Sequence, residues 1–203
     1  MEKYIQGEKV MAIFKPESGK SVSFLGPIEV GIIGFTDKSG DFDWADVFIE
    51  VELSVKDSEY SNRMSILGRL DKDSNGDITG GSVLKRMYNM FDIFGCKAGL
   101  NIKGAFEDEH GNVIDNIGRF LEERYTTKEL DYVVYAYKKK PKPGKKVYTE
   151  IYPKLYPNTN EGKAQCMSDV EWLKGKGIIQ EADESDMPQQ NDSNLANNAL
   201  NNL

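Results

Sequence analysis

The stretch Tyr132–Tyr156, YVVYAYKKKPKPGKKVYTEIYPKLY, decides how this chain is read. Tyrosine, valine and alanine alternate over Tyr132–Tyr137. Successive side chains of a strand point to opposite sides, so Val133, Tyr135 and Tyr137 share one face. Pro141, Pro143 and Gly144 then interrupt the run with residues that favour turns. In the return arm Tyr148, Tyr152, Lys154 and Tyr156 fall on one face, with Val147 and Ile151 on the other. The pattern predicts a β-hairpin, and Pro153 and Pro157 mark its second arm as an edge strand. Lys138, Lys139, Lys140, Lys142, Lys145 and Lys146 place six charges within nine residues at its tip.

The chain of 203 residues has a net charge of −7, so it is not a uniformly basic nucleic-acid binder. The charge is segregated instead. Residues 138–163 hold eight lysines against two acidic groups, while residues 177–203 hold five acidic residues and no lysine or arginine. An acidic body, a basic hairpin and an acidic tail follow in that order. The length suits one domain with extensions and can bury a core without disulfides or metal. Cys96 and Cys166 show neither paired nor metal-ligand spacing, which suits a reducing compartment. MEKYIQGEKV lacks the apolar core of a signal peptide, and no run approaches a membrane span. A cytoplasmic protein with no membrane partner is expected.

Residues 1–26 read as an N-terminal arm with one apolar run, Val10–Phe14. From Ile28 to Phe35 a first core strand is expected, with Gly31 and Gly34 allowing a bend. Val47–Val55 alternates Val47, Ile49, Val51, Leu53 and Val55 with Glu50, Glu52 and Ser54, the clearest half-buried strand in the chain. Arg63–Leu70 reads as a third strand, although its MSILGRL core also fits a helix. Val83, Leu84, Met87, Met90, Phe91 and Phe94 follow helical spacing, with Ser82 as N-cap and Gly95 as the stop. Leu100–Phe106 reads as a short strand, Asn116 caps a second helix, and Ser168–Glu171 has the capping-box form that opens a third. From residue 180 to 203 the chain turns acidic and then Asn-rich, with no packable periodicity, and reads as a disordered tail.

Three strands, a helix and a final hairpin are compatible with a mainly β, OB-like five-stranded barrel spanning residues 27–179. In that order the loop holding Phe42 and Trp44 and the lysine-tipped hairpin become the two binding loops. The hairpin suits single-stranded nucleic acid: ammonium groups neutralise phosphate, and aromatic faces take unstacked bases. Lys138, Lys139, Lys140, Lys142, Lys145, Lys146 and Lys154 are candidates for the first role. Tyr135, Tyr137, Tyr148, Tyr152, Tyr156 and Trp44 are candidates for the second. Tyr148, Tyr152 and Tyr156 recur about 13 Å apart at about 3.3 Å per residue. The bland reading makes the tyrosines core and the lysines a solvated tip that protects an edge.

Other constellations are thinner. Asp71, Asp73, Asn75 and Gly76 match the opening of a calcium loop, but Ser82 stands where its bidentate glutamate belongs. His110, the sole histidine, sits in an acidic turn. No catalytic motif is present, so a non-enzymatic protein without cofactor or metal is expected.

With its hairpin followed by YPNT and an acidic C-terminus, the chain resembles phage-encoded single-stranded-DNA-binding proteins of OB-fold type, from replication and recombination modules. That resemblance implies sequence-independent binding of single-stranded DNA in a host cytoplasm and recruitment of replication or recombination proteins through the tail; homo-oligomerisation is left open by the sequence. The tail departs from the bacterial form: its acids stop at Asp192 and LANNALNNL follows. A second reading is a phage structural or adaptor module whose hairpin contacts protein.

Overall fold

The computed structural model describes residues 25–59, 61–127 and 129–186. Strands β1 (Gly26–Asp37), β2 (Val47–Val55) and β3 (Ser61–Gly68) form an antiparallel meander. A small ribbon, β4 (Asp71–Lys72) with β5 (Ile78–Gly80), leads into helix α1 (Ser82–Phe94). A second ribbon, β6 (Gly99–Leu100) with β7 (Phe106–Glu107), leads towards α2 (Ile117–Tyr125). The chain then re-enters the sheet as β8 (Tyr132–Lys139), followed by β9 (Tyr148–Ile151), β10 (Tyr156–Pro157) and α3 (Asn160–Gly175). The six-stranded sheet runs β10–β8–β1–β2–β3, and β9 lies beside the far half of β8. Every ladder in it is antiparallel.

The fold is thus mainly β with three α-helices, but the expected closed five-stranded barrel is not formed. Among the described residues no ladder joins β3 to β9 or β10. β1 is shared by both halves of the sheet. Gly26–Val30 pairs with β8 and Val30–Asp37 with β2, so Val30 alone is paired on both sides. A bulge between Ile32 and Gly34 follows in the part of β1 that pairs with β2 alone. The extra residue, Ile33, is exposed, and the phase shift returns Phe35 to the core beside Val30 and Ile32.

The sheet carries two cores, one on each face. Val47, Ile49, Val51, Leu53 and Val55 alternate inward as their spacing predicts and pack with Met64, Ile66 and α1, whose Val83, Met87, Met90 and Phe91 are buried. Leu121 and Ile117 of α2 close the same core. On the other face Val133, Tyr135, Tyr137 and Tyr156 pack against Cys166, Val170 and Leu173 of α3 and against Ile179.

Helix boundaries follow the sequence in part. Asn116 caps α2, its side chain accepting from the Arg119 amide at 2.8 Å, and Gly95 ends α1 with φ of 65°. Ser82 is the first residue of α1 rather than its cap; Gly81 precedes it and no side chain caps the helix. Leu100–Phe106 is not one strand, since a turn over 101–105 separates β6 from β7. The third helix opens at Thr159, whose hydroxyl accepts from the Gly162 amide at 3.0 Å, so Ser168 lies mid-helix. No helix among the described residues is long and apolar enough to cross a membrane. Residues 1–24 of the arm and 187–203 of the tail lie outside the described residues.

Candidate nucleic-acid interface

The hairpin forms as its alternation predicts. Lys139 pairs with Tyr148, Tyr137 with Glu150 and Ala136 with Ile151. Ile151 and Leu155 join the first core, whereas Tyr152 and Tyr156 point to the second, so the return arm's two faces are those read from the spacing. What covers the tyrosine face differs from expectation. Because α3 starts at Thr159, sixteen residues of helix lie against it. Tyr135, Tyr137 and Tyr156 are only 6 %, 5 % and 3 % exposed. The rings of Tyr135 and Tyr137 stack on each other at 6.2 Å, and Tyr152 is half-buried against the same cluster. A buried ring has no free face for a base, so the stacking role does not fit Tyr135, Tyr137, Tyr152 or Tyr156. Tyr148, 53 % exposed, is the one hairpin tyrosine that keeps an open ring.

The polar tips of these tyrosines explain how α3 is held. Tyr156 donates to Asp169 at 2.9 Å, Lys154 pairs with the same carboxylate, and Gln165 donates to it at 2.7 Å. Tyr135 donates to Glu181 at 2.8 Å and accepts from Lys174 at 3.1 Å. Burial, and for Tyr137 also the neighbouring Glu150, pushes the phenols of Tyr135, Tyr137 and Tyr156 above their usual range. Burial alone would raise Asp169, but hydrogen bonds from Lys154, Tyr156 and Gln165 outweigh it and hold the carboxyl low. Lys154 is therefore a structural cation, not a free phosphate ligand.

At the other end of α3, Lys163 reaches Glu29 of β1 at 2.6 Å, and Lys56 approaches the same carboxylate at 2.8 Å. These two lysines hold Glu29 at about 2, against an ordinary 4.5. Carboxylates with lowered values stabilise the fold fully above their unfolded values and lose that contribution as pH falls through the folded value. Stability should therefore drain between about pH 4.5 and 2. In Lys163→Ala, urea titrations across that window should show a smaller change of stability with pH; an unchanged dependence would contradict the clamp.

The lysines divide into two groups. Lys139 is paired with Glu150 at 2.6 Å, and Lys140 lies 3.6 and 3.7 Å from Asp183 and Asp186. Residues 180–182 extend the sheet beside the end of β8: the Lys140 amide donates to the Gln180 carbonyl, and the Ala182 amide to Lys138, both at 2.8 Å. Residues 180–186, read from sequence as tail, thus pack on the hairpin's base. Lys138 is half-buried there. Lys142, Lys145 and Lys146 stand exposed on the turn and pair with no acidic group among the described residues.

The loop between β1 and β2 holds the other exposed aromatics. Phe42 and Trp44 are 42 % and 49 % exposed. Phe42 stacks on Phe48 at 5.7 Å and leans on Trp44 at 5.4 Å, and Lys38 lies 5.6 Å from the Phe48 ring. Arg69 fixes the loop by donating to the carbonyls of Trp44 and Asp43, each at 3.2 Å. Two of the surrounding aspartates are engaged in the scaffold: Asp37 accepts from the Ser39 amide at 2.9 Å, and Asp46 from Lys72 at 2.6 Å and the Leu70 amide at 2.9 Å. Trp44 therefore lies on the surface rather than in the core. Phe42 and Arg69 belong with it, and only the aromatic pair was legible from sequence. This loop follows the C-terminal end of β1, while the hairpin tip projects past the N-terminal end, where Gly26 meets Ala136. The sheet separates the two sites by its own length.

The calcium-like loop is a turn held by its own backbone. Asp73 accepts from the amides of Asn75 and Asp77, and the ammonium of Lys103 sits on Asp77. His110 is exposed beside Glu109, and among the described residues no His, Cys, Asp or Glu group is arranged to hold a metal. No family model, curated protein or solved structure matches this chain.

Proposed function

We propose that the chain is a sequence-independent single-stranded-DNA-binding protein built on an OB-type sheet left open at one seam. The strand order supports that fold: one long, bulged β1 is shared between the β2–β3 meander and the β8–β9 hairpin. The observation that carries the function is the pinned aromatic cluster in which exposed Phe42 and Trp44 lean on half-buried Phe48. Large aromatic rings left in solvent forgo their burial energy, and stacking on a base recovers it with any sequence. In this reading Lys142, Lys145 and Lys146 neutralise phosphates at the far end and Tyr148 stacks beside them. Asp183 and Asp186, docked on Lys140, compete with DNA for the hairpin's base.

Base stacking contributes roughly 1–3 kcal/mol per base. Phe42→Ala and Trp44→Ala should each weaken oligo-dT binding by about 5- to 150-fold in fluorescence anisotropy, with the fold unchanged by circular dichroism. Affinity unaltered in both would remove the loop from the interface.

A further inference from the structure

A cleft of about 210 Å³ opens at the unpaired seam of the sheet, between α1, α3 and the segment joining β9 to β10. Arg86 and Asn89 line it from α1, Lys154 from the joining segment, and Asp169 and Trp172 from α3. Three features of this lining point to a ligand. Trp172 is 59 % exposed, the most open tryptophan surface in the described residues, although α3 buries its other face in the second core. Arg86 uses one terminal nitrogen on the Leu67 carbonyl at 2.8 Å, yet its Nε is shielded from solvent with no partner among the described residues. The enclosed Nε is out of a ligand's reach as packed, so the site rests on the terminal nitrogens of the guanidinium, which are shaped to give parallel bonds to a phosphate. The acidic member does not oppose an anion strongly, because Asp169 is already held by Lys154, Tyr156 and Gln165. Lys176 adds a further positive charge 5.9 Å from the Trp172 ring centroid.

We infer that this cleft binds one nucleotide, with the phosphate on Arg86 and the base against Trp172. Asn89, exposed on the same helix, offers both a donor and an acceptor to a base edge. The inference rests on the single-strand reading above and deepens it: the cleft is a third contact, joined to the aromatic loop through β3, where Arg86 holds the Leu67 carbonyl and Leu67 pairs with Phe48. The same chemistry fits a nucleotide within a strand and a free mononucleotide.

The chain has two tryptophans, Trp44 and Trp172, so each can be watched alone. Trp44→Phe leaves Trp172 as the reporter, and Trp172→Phe leaves Trp44. Oligo-dT and dTMP are titrated into each full-length variant, with anisotropy of labelled oligo-dT recorded in parallel. The expected result is saturable quenching of Trp172, weakened on the order of tenfold or more by Arg86→Ala, since a hydrogen bond to a charged group contributes about 1.5–3 kcal/mol. Quenching by dTMP as well identifies a site open to free nucleotides; quenching by the oligonucleotide alone identifies a strand contact. Arg86→Lys, which keeps the charge but loses the fork, should recover only part of the affinity. Binding by anisotropy with Trp44 quenched and Trp172 unmoved overturns the cleft and leaves the single-strand reading standing. No binding by anisotropy removes that reading, and with dTMP also leaving Trp172 unmoved the cleft is overturned with it.

Discussion

Gly162→Ala is expected to be the most damaging small substitution in the chain. A Cβ at position 162 would stand 2.1 Å from the Pro157 carbonyl oxygen and 3.1 Å from its carbon. That carbonyl cannot retreat easily. Pro157 is paired with Tyr132 in the sheet, the Asn158 amide donates to Asp131 at 2.8 Å, and the Asn158 side chain donates to Leu130 at 2.7 Å. Inside an unobstructed helix alanine gains up to about 1 kcal/mol over glycine, so a clash-free site would show stabilisation. Here overpacking should produce a net loss of about 1–3 kcal/mol, with the first turn of α3 lifting from β10. Gly175→Ala is the matched control, because a Cβ there meets nothing within 4 Å. Urea unfolding should show a lower midpoint for the first variant and an equal or higher one for the second. Equal midpoints in both would mean that α3 is not seated as described.

Replacing Lys142, Lys145 and Lys146 together with alanine should have the largest effect on binding. These three lysines are exposed and have no acidic partner among the described residues, so they meet phosphate without first breaking an ion pair. Each phosphate neutralised on a single strand adds about −0.7 to the slope of log K against log salt, so losing three contacts should flatten it by about 2. Lys139→Ala with Lys140→Ala should flatten it less, because both lysines already face carboxylates. A slope unchanged by the triple substitution would place the DNA contact elsewhere.

β2 could be read almost residue by residue, since a strand packed on one side must alternate. The hairpin was legible for the same reason, down to which side Tyr148, Tyr152 and Tyr156 occupy. Their role was not. A tyrosine face suits a base or a helix equally, because the ring is amphipathic. The deciding element was α3, and its sequence hides it. Cys166, Val170 and Leu173 carry the buried stripe, but exposed Met167 and Trp172 interrupt it on the solvent side. Its cap, Thr159, sits among asparagines after a proline and reads as a turn. The bulge at Ile33 was foreshadowed by Gly31 and Gly34, yet only the register with β2 shows which residue is extra and that Phe35 returns to the core after it. The long-range partners, Glu29 with Lys163 and Lys140 with Asp183, are 134 and 43 residues apart and leave no local signal.

The single-strand reading is tested most directly by fluorescence anisotropy with labelled oligo-dT against duplex of equal length, each titrated with the full chain at several salt concentrations. Saturable binding that prefers the single strand and weakens steeply with salt is the expected result. No binding to the single strand even at low salt would contradict it, and would leave the hairpin as an arm for protein contact.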